Sequence, residues 1–232
     1  MPAAHPLNRM RHGRCRSETM ETVESPMNET DLRPSRTTAE EPAGWLARAA
    51  AETGRLDRAV YSAVAGTPTP FLDDGLRRLS SCANYSRLSI LSAALLALGG
   101  GRRGRRAAGR GLASVAVTSM ALNLGVKPIV RRRRPDRVGR AVPVERHVPM
   151  PTSSAFPSGH SAAAFAFATG VGHVLPAVGF PLRALGALVA YSRVHTGVHY
   201  PGDVLAGSLL GGALAQVTTR ALDRRQGRPG PG

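Results

Sequence analysis

The chain has 232 residues, and its 31 Lys and Arg outnumber 15 Asp and Glu, which gives a formal charge of +16. So large a charge requires an anionic partner. Nucleic acid is excluded as the expected partner, because aromatic residues make up only 4% of the chain and no nucleic-acid-binding signature is present. Since the arginines flank apolar runs, we expect the partner to be lipid head groups.

The first third of the chain lacks a clear core. Residues 1–42 are rich in Arg, Glu, Ser, Thr and Pro, so they bury too little apolar surface to offset the entropy of ordering, and we predict a disordered polar tail. Residues 43–72 mix apolar and charged positions in a pattern typical of an amphipathic helix on a membrane surface, with a soluble core helix as the alternative. We therefore assign residues 43–79 to an interfacial segment. No secretory signal is recognised, so membrane insertion would have to use internal helices.

Five apolar runs follow, at residues 88–100, 111–126, 161–180, 182–191 and 204–217. Crossing about 30 Å of hydrocarbon takes about 20 helical residues, so several runs are short. Their Gly, Ala and Ser content is typical of closely packed membrane helices. We predict an all-α integral membrane bundle of about five spanning helices over residues 80–220, followed by a basic tail at 221–232. Buried helices of a soluble bundle are the alternative.

The segments between these runs predict which residues share a side. Residues 101–110 hold five arginines, residues 176–183 contain a Pro/Gly turn, and arginines close the chain. If each run crosses once, these segments lie on one side and the polar motifs described next lie on the other. The positive-inside rule places the arginine-rich side in the cytoplasm. We therefore expect an inner-membrane protein whose site faces the extracytoplasmic side.

Three cationic residues are predicted to bind phosphate. Lys127 is the only lysine in the chain, and Arg134 follows seven residues later, immediately before Pro135. Arg193 follows Ser192 near the end of the fourth apolar run. Arginine presents a two-pronged donor to phosphate, while lysine supplies a compact charge. The alternative for Arg134, one of four successive arginines, is a basic cluster beside the membrane.

The sequence Pro157-Ser158-Gly159-His160 precedes an apolar run and predicts the start of a helix. Backbone N–H groups in the first turn of a helix bind anions, so Ser158 and Gly159 are predicted to bind phosphate. A plain capping role is the alternative for Ser158. His160 would lie beside the leaving oxygen, where an imidazole can donate a proton.

His199 and Asp203 indicate an imidazole nucleophile oriented by a carboxylate. Metal binding is the alternative, because His195, His199 and Asp203 are spaced four residues apart. However, Gly197, Pro201 and Gly202 would break the helix needed to align the three. We therefore predict no metal and no cofactor.

These blocks together resemble the type 2 phosphatidic acid phosphatase superfamily, whose signature has the form KxxxxxxRP, PSGH and SRxxxxxHxxxD. The chain carries every signature position in order, and the resemblance covers about residues 80–220. It implies a helical bundle and metal-independent hydrolysis of phosphate esters. By position it implies phosphate binding by Lys127, Arg134, Ser158, Gly159 and Arg193, acid catalysis by His160, and a nucleophilic His199 partnered by Asp203.

We therefore expect a membrane lipid phosphatase that forms a phosphohistidine intermediate. Its substrates would be phosphatidate, phosphatidylglycerol phosphate, or an isoprenoid phosphate or diphosphate. The alternatives are a vanadium-dependent haloperoxidase-like enzyme, since vanadate would fit the same cationic residues, and a non-catalytic membrane protein that binds anionic lipid. The sequence indicates neither the head group nor the oligomeric state.

Overall fold

A computed structural model describes residues 42–227, so the predicted disordered tail lies outside the described residues. Within residues 42–227 the chain forms helices and no strand, which confirms the all-α prediction. A π-helical stretch, Ala121–Val126, joins α4 to α5, and 3₁₀ turns lie at Asn84–Ser86 and Val144–Arg146. The α-helices are α1 Pro42–Gly66, α2 Pro70–Cys82, α3 Arg87–Gly99, α4 Gly101–Met120, α5 Lys127–Ile129, α6 Gly159–Gly172, α7 Pro176–His195 and α8 Pro201–Arg225.

Helix α6 is the centre of the bundle and packs against α4, α7 and α8. Its buried positions are mostly Ala and Gly, which allow neighbouring backbones to approach closely. On α8 a Cβ at Gly207 would lie 2.4 Å from the Ser158 carbonyl oxygen, and one at Gly211 would lie 2.2 Å from that of Ala162. These two glycines therefore set the distance between α6 and α8.

The segment predicted as one amphipathic helix is two helices. The chain breaks between α1 and α2, where Pro68 and Pro70 prevent a continuous helix. Helix α1 turns Asp57, Tyr61 and Ala65 inwards, at relative exposures of 5%, 1% and 6%. Among the apolar residues of this segment, Trp45, Leu56 and Val60 are exposed, whereas Val64 is half-buried against the core.

Two segments predicted to separate the apolar runs are helical over most of their length. The arginine-rich residues 101–110 form the first half of α4, because Arg and Ala are good helix formers and the turn needs only Gly99 to Gly101, with Gly101 at a φ of 56°. The turn after α6 lies at residues 173–175 rather than 176–183. Pro176 then takes the first position of α7, where its missing N–H costs nothing, and Pro181 lies inside that helix.

The structure does not confirm the predicted number of five membrane spans. Within residues 42–227, Gly101–Ile129 is the one helix long and apolar enough to cross a membrane, and the apolar α3 is shorter. Many large apolar side chains nevertheless point outwards from α3, the π-helical stretch, α7 and α8, among them Leu95, Leu98, Leu124, Phe180 and Leu209.

We expect Gly211→Ala to destabilise the fold by about 1–3 kcal/mol, because the new methyl group would force α8 away from α6. Gly212→Ala is the matched control, since its Cβ would meet nothing closer than 3.9 Å. That change should be neutral or stabilising by up to about 1 kcal/mol, through helix propensity. Thermal unfolding of the purified variants in one detergent compares them, and equal midpoints would contradict the close α6–α8 contact.

Candidate active site

A polar cavity of about 160 Å³ lies where α5 ends and where α6 and α8 begin. The first turn of α6, the end of the α4–α5 helix and the loops at residues 130–158 and 196–200 surround it. Five of the eight residues predicted from the motifs line this cavity: Lys127, Arg134, Gly159, His160 and His199. The structure therefore brings parts of all three sequence blocks together.

Lys127 reaches the cavity from the end of the π-helical stretch. A π-helical turn widens the helix locally and is often found at functional sites. The Lys127 ammonium donates to Oδ1 of Asn123, at 2.9 Å, within this stretch. It also lies against the start of α6, because a Cβ at Gly159 would be 3.4 Å from Nζ. A larger residue at 159 would crowd the ammonium.

Arg134 is held in place by backbone carbonyl groups. Its Nη1 donates to the Val198 oxygen at 2.9 Å, and its Nε donates to the Ser153 oxygen at 3.1 Å. The same Nη1 lies 3.1 Å from Nε2 of His199. The guanidinium is thus fixed against the loop that carries His199 before any ligand binds.

The contacts of His199 define its tautomer. A guanidinium can only donate, so Nε2 of His199 accepts from Arg134 and the ring proton belongs on Nδ1. Nδ1 lies 3.5 Å from Oδ2 of Asp203, which is fully buried and accepts from the Tyr200 amide at 2.9 Å. In this tautomer the ring lone pair belongs to Nε2, on the cavity side, where Arg134 donates to it.

Burial lowers the pKa of His199 to about 4; Asp203 opposes this shift, while Arg134 and Arg193 add to it. The ring is 2% exposed, so protonation would place a poorly solvated cation among other cations. His199 is therefore neutral at physiological pH, as a nitrogen nucleophile requires.

His160 also lines the cavity, in the first turn of α6. Its Nε2 lies 2.9 Å from Oδ1 of Asn84, a residue of the 3₁₀ turn after α2. An amide oxygen at this position accepts the Nε2 proton and fixes the plane of the ring. Asn84 therefore orients His160 from outside the sequence motifs.

Three of the predicted residues lie behind the cavity wall: Asp203, Ser158 and Arg193. Ser158 is fully buried and caps α6, with its Oγ accepting from the Ser161 hydroxyl at 3.1 Å. Arg193 is 1% exposed and donates from Nη1 to the hydroxyl and carbonyl of Ser80, at 2.7 and 3.1 Å. Direct contact of Ser158 or Arg193 with a phosphate stays a prediction.

His195 does not join His199 and Asp203. It is the last residue of α7, and its Nε2 lies 2.9 Å from the Thr69 hydroxyl and 3.1 Å from Asp73. Arg146, which is fully buried, donates to the same Asp73 carboxylate at 2.9 Å. The three residues of the metal alternative therefore do not converge on one point.

Four residues that hold the site together are not among those predicted from the sequence. Asn123 and Asn84 contact Lys127 and His160, as described above. Arg132 donates to Asp203 at 2.8 Å and to Asp57 of α1 at 2.5 Å. An acidic residue at position 57, one helical turn before Tyr61, was a usable signal, whereas nothing in the sequence distinguishes Arg132 from the arginines beside it.

Comparison with known proteins assigns the family. The PAP2 superfamily profile matches residues 108–226. A decaprenylphosphoryl-5-phosphoribose phosphatase of Mycobacterium tuberculosis is 35% identical over 62% of this chain and 75% of its own length. The Mycolicibacterium smegmatis protein of the same name is 36% identical over 64% of this chain and 77% of its own length. An undecaprenyl-diphosphatase of Sulfolobus acidocaldarius is 44% identical, but over only 31% of this chain and 35% of its own length.

Two crystal structures share the fold. LpxE of Aquifex aeolicus superposes with a TM-score of 0.59 at 22% identity, over 71% of this chain and 95% of its own. A transmembrane PAP2-type phosphatidylglycerolphosphate phosphatase of Bacillus subtilis superposes with a TM-score of 0.57 at 24% identity, over 75% of this chain and 87% of its own.

The helical fold and the three signature blocks, two of which carry a histidine on the cavity wall, thus define the class of phosphatase. The chain belongs to the PAP2 superfamily, as the sequence resemblance indicated. It is a phosphoric ester hydrolase of this superfamily, which confirms the predicted enzyme class.

We expect the His199 ring to stay neutral until the pH falls to about 4. Since its pKa in the unfolded chain is about 6.5, the unfolded chain binds the extra proton first, so this histidine lowers stability as the pH falls from about 6.5 through 4. Ring ¹⁵N shifts of labelled protein, assigned by comparison with His199→Gln, measure the titration. A midpoint near 6.5 would contradict the buried, cation-flanked position.

Proposed function

We propose that this protein is a membrane lipid phosphatase that releases inorganic phosphate from an isoprenoid-linked phosphate through a phosphohistidine intermediate. The proposal rests on one observation, which is that a polar cavity and an apolar cleft adjoin each other. The cationic cavity adjoins an apolar cleft, and the two share Ala83, Ser86, His160 and Ala163 in their walls. A substrate with an anionic head and an apolar tail fits this pairing.

The phosphate would occupy the cavity beside Lys127 and Arg134. A phosphate monoester carries up to two negative charges, and catalysis of phosphoryl transfer depends largely on neutralising its equatorial oxygens. The ammonium and guanidinium lie on the cavity wall already held by Asn123 and by backbone carbonyls. The backbone at Gly159 and the capped start of α6 would add N–H donors, and Ser158 and Arg193 would support them from behind.

The reaction would proceed in two balanced steps. Nε2 of His199 attacks phosphorus, the bond to the lipid oxygen breaks, and the leaving oxygen takes the Nδ1 proton of His160, which enters this step as the imidazolium because its Nε2 proton is held by Asn84. A water molecule then attacks the phosphohistidine, His160 takes the proton of that water, and phosphate leaves. Asp203 would stabilise the positive charge that develops on the His199 ring, because its carboxylate faces Nδ1.

The apolar cleft would receive the first part of the lipid tail. It lies between α3, α6 and α7, and its walls include Leu88, Phe167, Leu182, Leu185 and Val189. His160 stands at the boundary between the cleft and the polar cavity, where the bond between head and tail would be cut. The relatives named for decaprenyl and undecaprenyl phosphates favour an isoprenoid tail over a diacylglycerol one.

A bilayer location is supported by the surface of the molecule. Exposed leucines and phenylalanines on α3, α4, α7 and α8 match a lipid environment, and the small residues between the helices are typical of membrane bundles. We therefore retain about five crossings within residues 80–220 as the proposal. Helix α1, with Trp45, Leu56 and Val60 pointing outwards, would lie at the interface within the segment 43–79.

The orientation follows from charge. The end of the bundle opposite the cavity carries the exposed arginines at the start of α4 and the end of α8, including Arg102, Arg103, Arg105, Arg224 and Arg225. By the positive-inside rule this end would face the cytoplasm, so the cavity would face the extracytoplasmic side of the inner membrane.

Replacing His199 by Ala should abolish phosphate release, because the nucleophile is lost. In the unaltered protein, rapid quenching at alkaline pH should trap acid-labile phosphate on His199, located by mass spectrometry of the peptide. His147→Ala is the matched control, since this ring bonds the Val142 carbonyl and does not line the cavity. Full activity in the His199 variant would end the nucleophile assignment.

Phosphate release from a panel of lipids in detergent tests the substrate class. We expect a polyprenyl phosphate, diphosphate or phosphorylated polyprenyl glycoside to be hydrolysed with higher kcat/KM than phosphatidate or a short water-soluble ester. Activity should survive EDTA and be inhibited by vanadate, which mimics five-coordinate phosphorus. Equal rates on the soluble ester would argue against a tail-binding cleft, and loss on chelation that a divalent ion restores would revive the metal alternative.

A further inference from the structure

Arg132 connects helix α1 to the histidine–aspartate pair. Its Nη1 donates to Oδ1 of Asp203 at 2.8 Å, and its Nη2 donates to Oδ2 of Asp57 at 2.5 Å. Its guanidinium carbon also lies 4.6 Å from the centre of the Tyr200 ring. One side chain thus bridges two carboxylates and covers the residue that precedes α8.

Asp57 completes a closed set of contacts. It is 5% exposed, and its second oxygen, Oδ1, accepts from the Gly202 amide at 2.6 Å. The carboxylate therefore holds the first turn of α8 directly through the backbone and indirectly through Arg132. A carboxylate buried to this degree is costly unless it is paired, and here all of its pairing is directed at the segment that carries Asp203.

Neither residue belongs to the sequence signature. Asp57 lies outside the region that the family profile matches, and Arg132 lies between the signature residues Lys127 and Arg134 without being one. Its neighbours Arg131 and Arg133 are exposed, whereas Arg132 is half-buried. Burial and bidentate geometry, rather than position in the motif, distinguish it.

We propose that Arg132 and Asp57 are positioning residues, which hold the carboxylate of Asp203 facing Nδ1 of His199. Helix α1, which carries Asp57, would then contribute to the geometry of the catalytic centre. This rests on the proposed role of His199 as nucleophile. Asp203 has two oxygens to direct: Oδ1 is fixed by Arg132 and Oδ2 by the Tyr200 amide, which leaves Oδ2 facing the imidazole. Without Arg132 the carboxylate keeps only the hydrogen bond from the Tyr200 amide, which does not by itself prevent its rotation.

The bridge also sets the charge near the imidazole. His199 is faced by Asp203 of α8, by Arg134 of the preceding loop, by Arg193 of α7 and by His160 of α6, and Lys127 lies across the cavity. Arg132 partly offsets the charge of Asp203, and Asp57 in turn offsets that of Arg132. Removing the charge of Asp57 should therefore disfavour the imidazolium, because the loss of that negative charge and the loosening of Asp203 act in the same direction.

Steady-state kinetics of the full chain in detergent, with a polyprenyl phosphate as substrate, test the positioning role. We expect Arg132→Gln to lower kcat by roughly 10- to 100-fold, and Asp57→Asn by about 10-fold, with KM nearly unchanged, because the phosphate holders are untouched. The matched controls are Arg133→Gln and Glu52→Gln, which make the same charge changes at exposed positions and should leave kcat unchanged.

Two further readouts separate positioning from simple loss of structure. The His199 ring titration should move down in pH in Asp57→Asn, by about half a pH unit or more. In an Asp203→Asn background, Arg132→Gln should cause no additional loss of kcat, because Arg132 acts through Asp203. Loss of kcat in Asp57→Asn with an unmoved titration, or additive losses in the Asp203→Asn background, would overturn the proposal.

Folding failure of a glutamine variant does not block the test. Arg132→Lys keeps the charge but cannot bridge both carboxylates, so it should lower kcat several-fold and leave the titration near its original midpoint. Wild-type kcat in Arg132→Lys would overturn the bridge. The ring titration needs no turnover, so it reports on the bridge even if His199→Ala were active and the proposed chemistry were wrong.

Discussion

The start of α6 lies directly against the first turns of α8, and the two histidines face one cavity because of this contact. The Ser158 amide donates to the Asp203 carbonyl at 2.9 Å, and Gly207 leaves room for the Ser158 carbonyl where any side chain would collide. His160 follows Ser158 by two residues, and Asp203 follows His199 by four. A small displacement of either helix would therefore separate the proposed acid from the proposed nucleophile.

The charges around the cavity favour the binding of an anion. Lys127 and Arg134 lie on its wall, and Arg193 is buried behind it. The carboxylate of Asp203 does not line the cavity, and it accepts hydrogen bonds from Arg132 and the Tyr200 amide. Gathering like charges costs free energy that a bound phosphate would recover. The compact ammonium of Lys127 beside Gly159 accounts for the single lysine in an arginine-rich chain.

Helix α1 has two faces with different partners. Its inward face carries Asp57, Tyr61 and Ala65, and Tyr61 packs against Tyr200 with ring centroids 5.4 Å apart. Its outward face carries Trp45 and other apolar side chains that no described part of the chain covers. The helix thus contacts Tyr200 and the start of α8 on one side while presenting an apolar surface on the other.

Much of the site was predictable from the sequence because its chemistry depends on residue type and order. Lys127, Arg134, Gly159, His160 and His199 were identified from short blocks, and all five line the cavity. The helical class and the start of a helix at Ser158-Gly159 also followed from local rules of periodicity and capping. Turn positions were less predictable, since arginines tolerate a helix and Pro176 and Pro181 fit inside or at the start of α7.

The sequence by itself determined the fold class, the family and the side chains proposed to react, because each depends on local pattern or on a fixed spacing. Only the tertiary structure decided which charges compensate one another. Asp57 and Arg132 are 75 residues apart, and Asn84 and His160 are 76 apart. Such pairs are set by how helices pack, and α1 could be seen to bury Asp57 rather than Leu56 only once α7 and α8 were in place beside it.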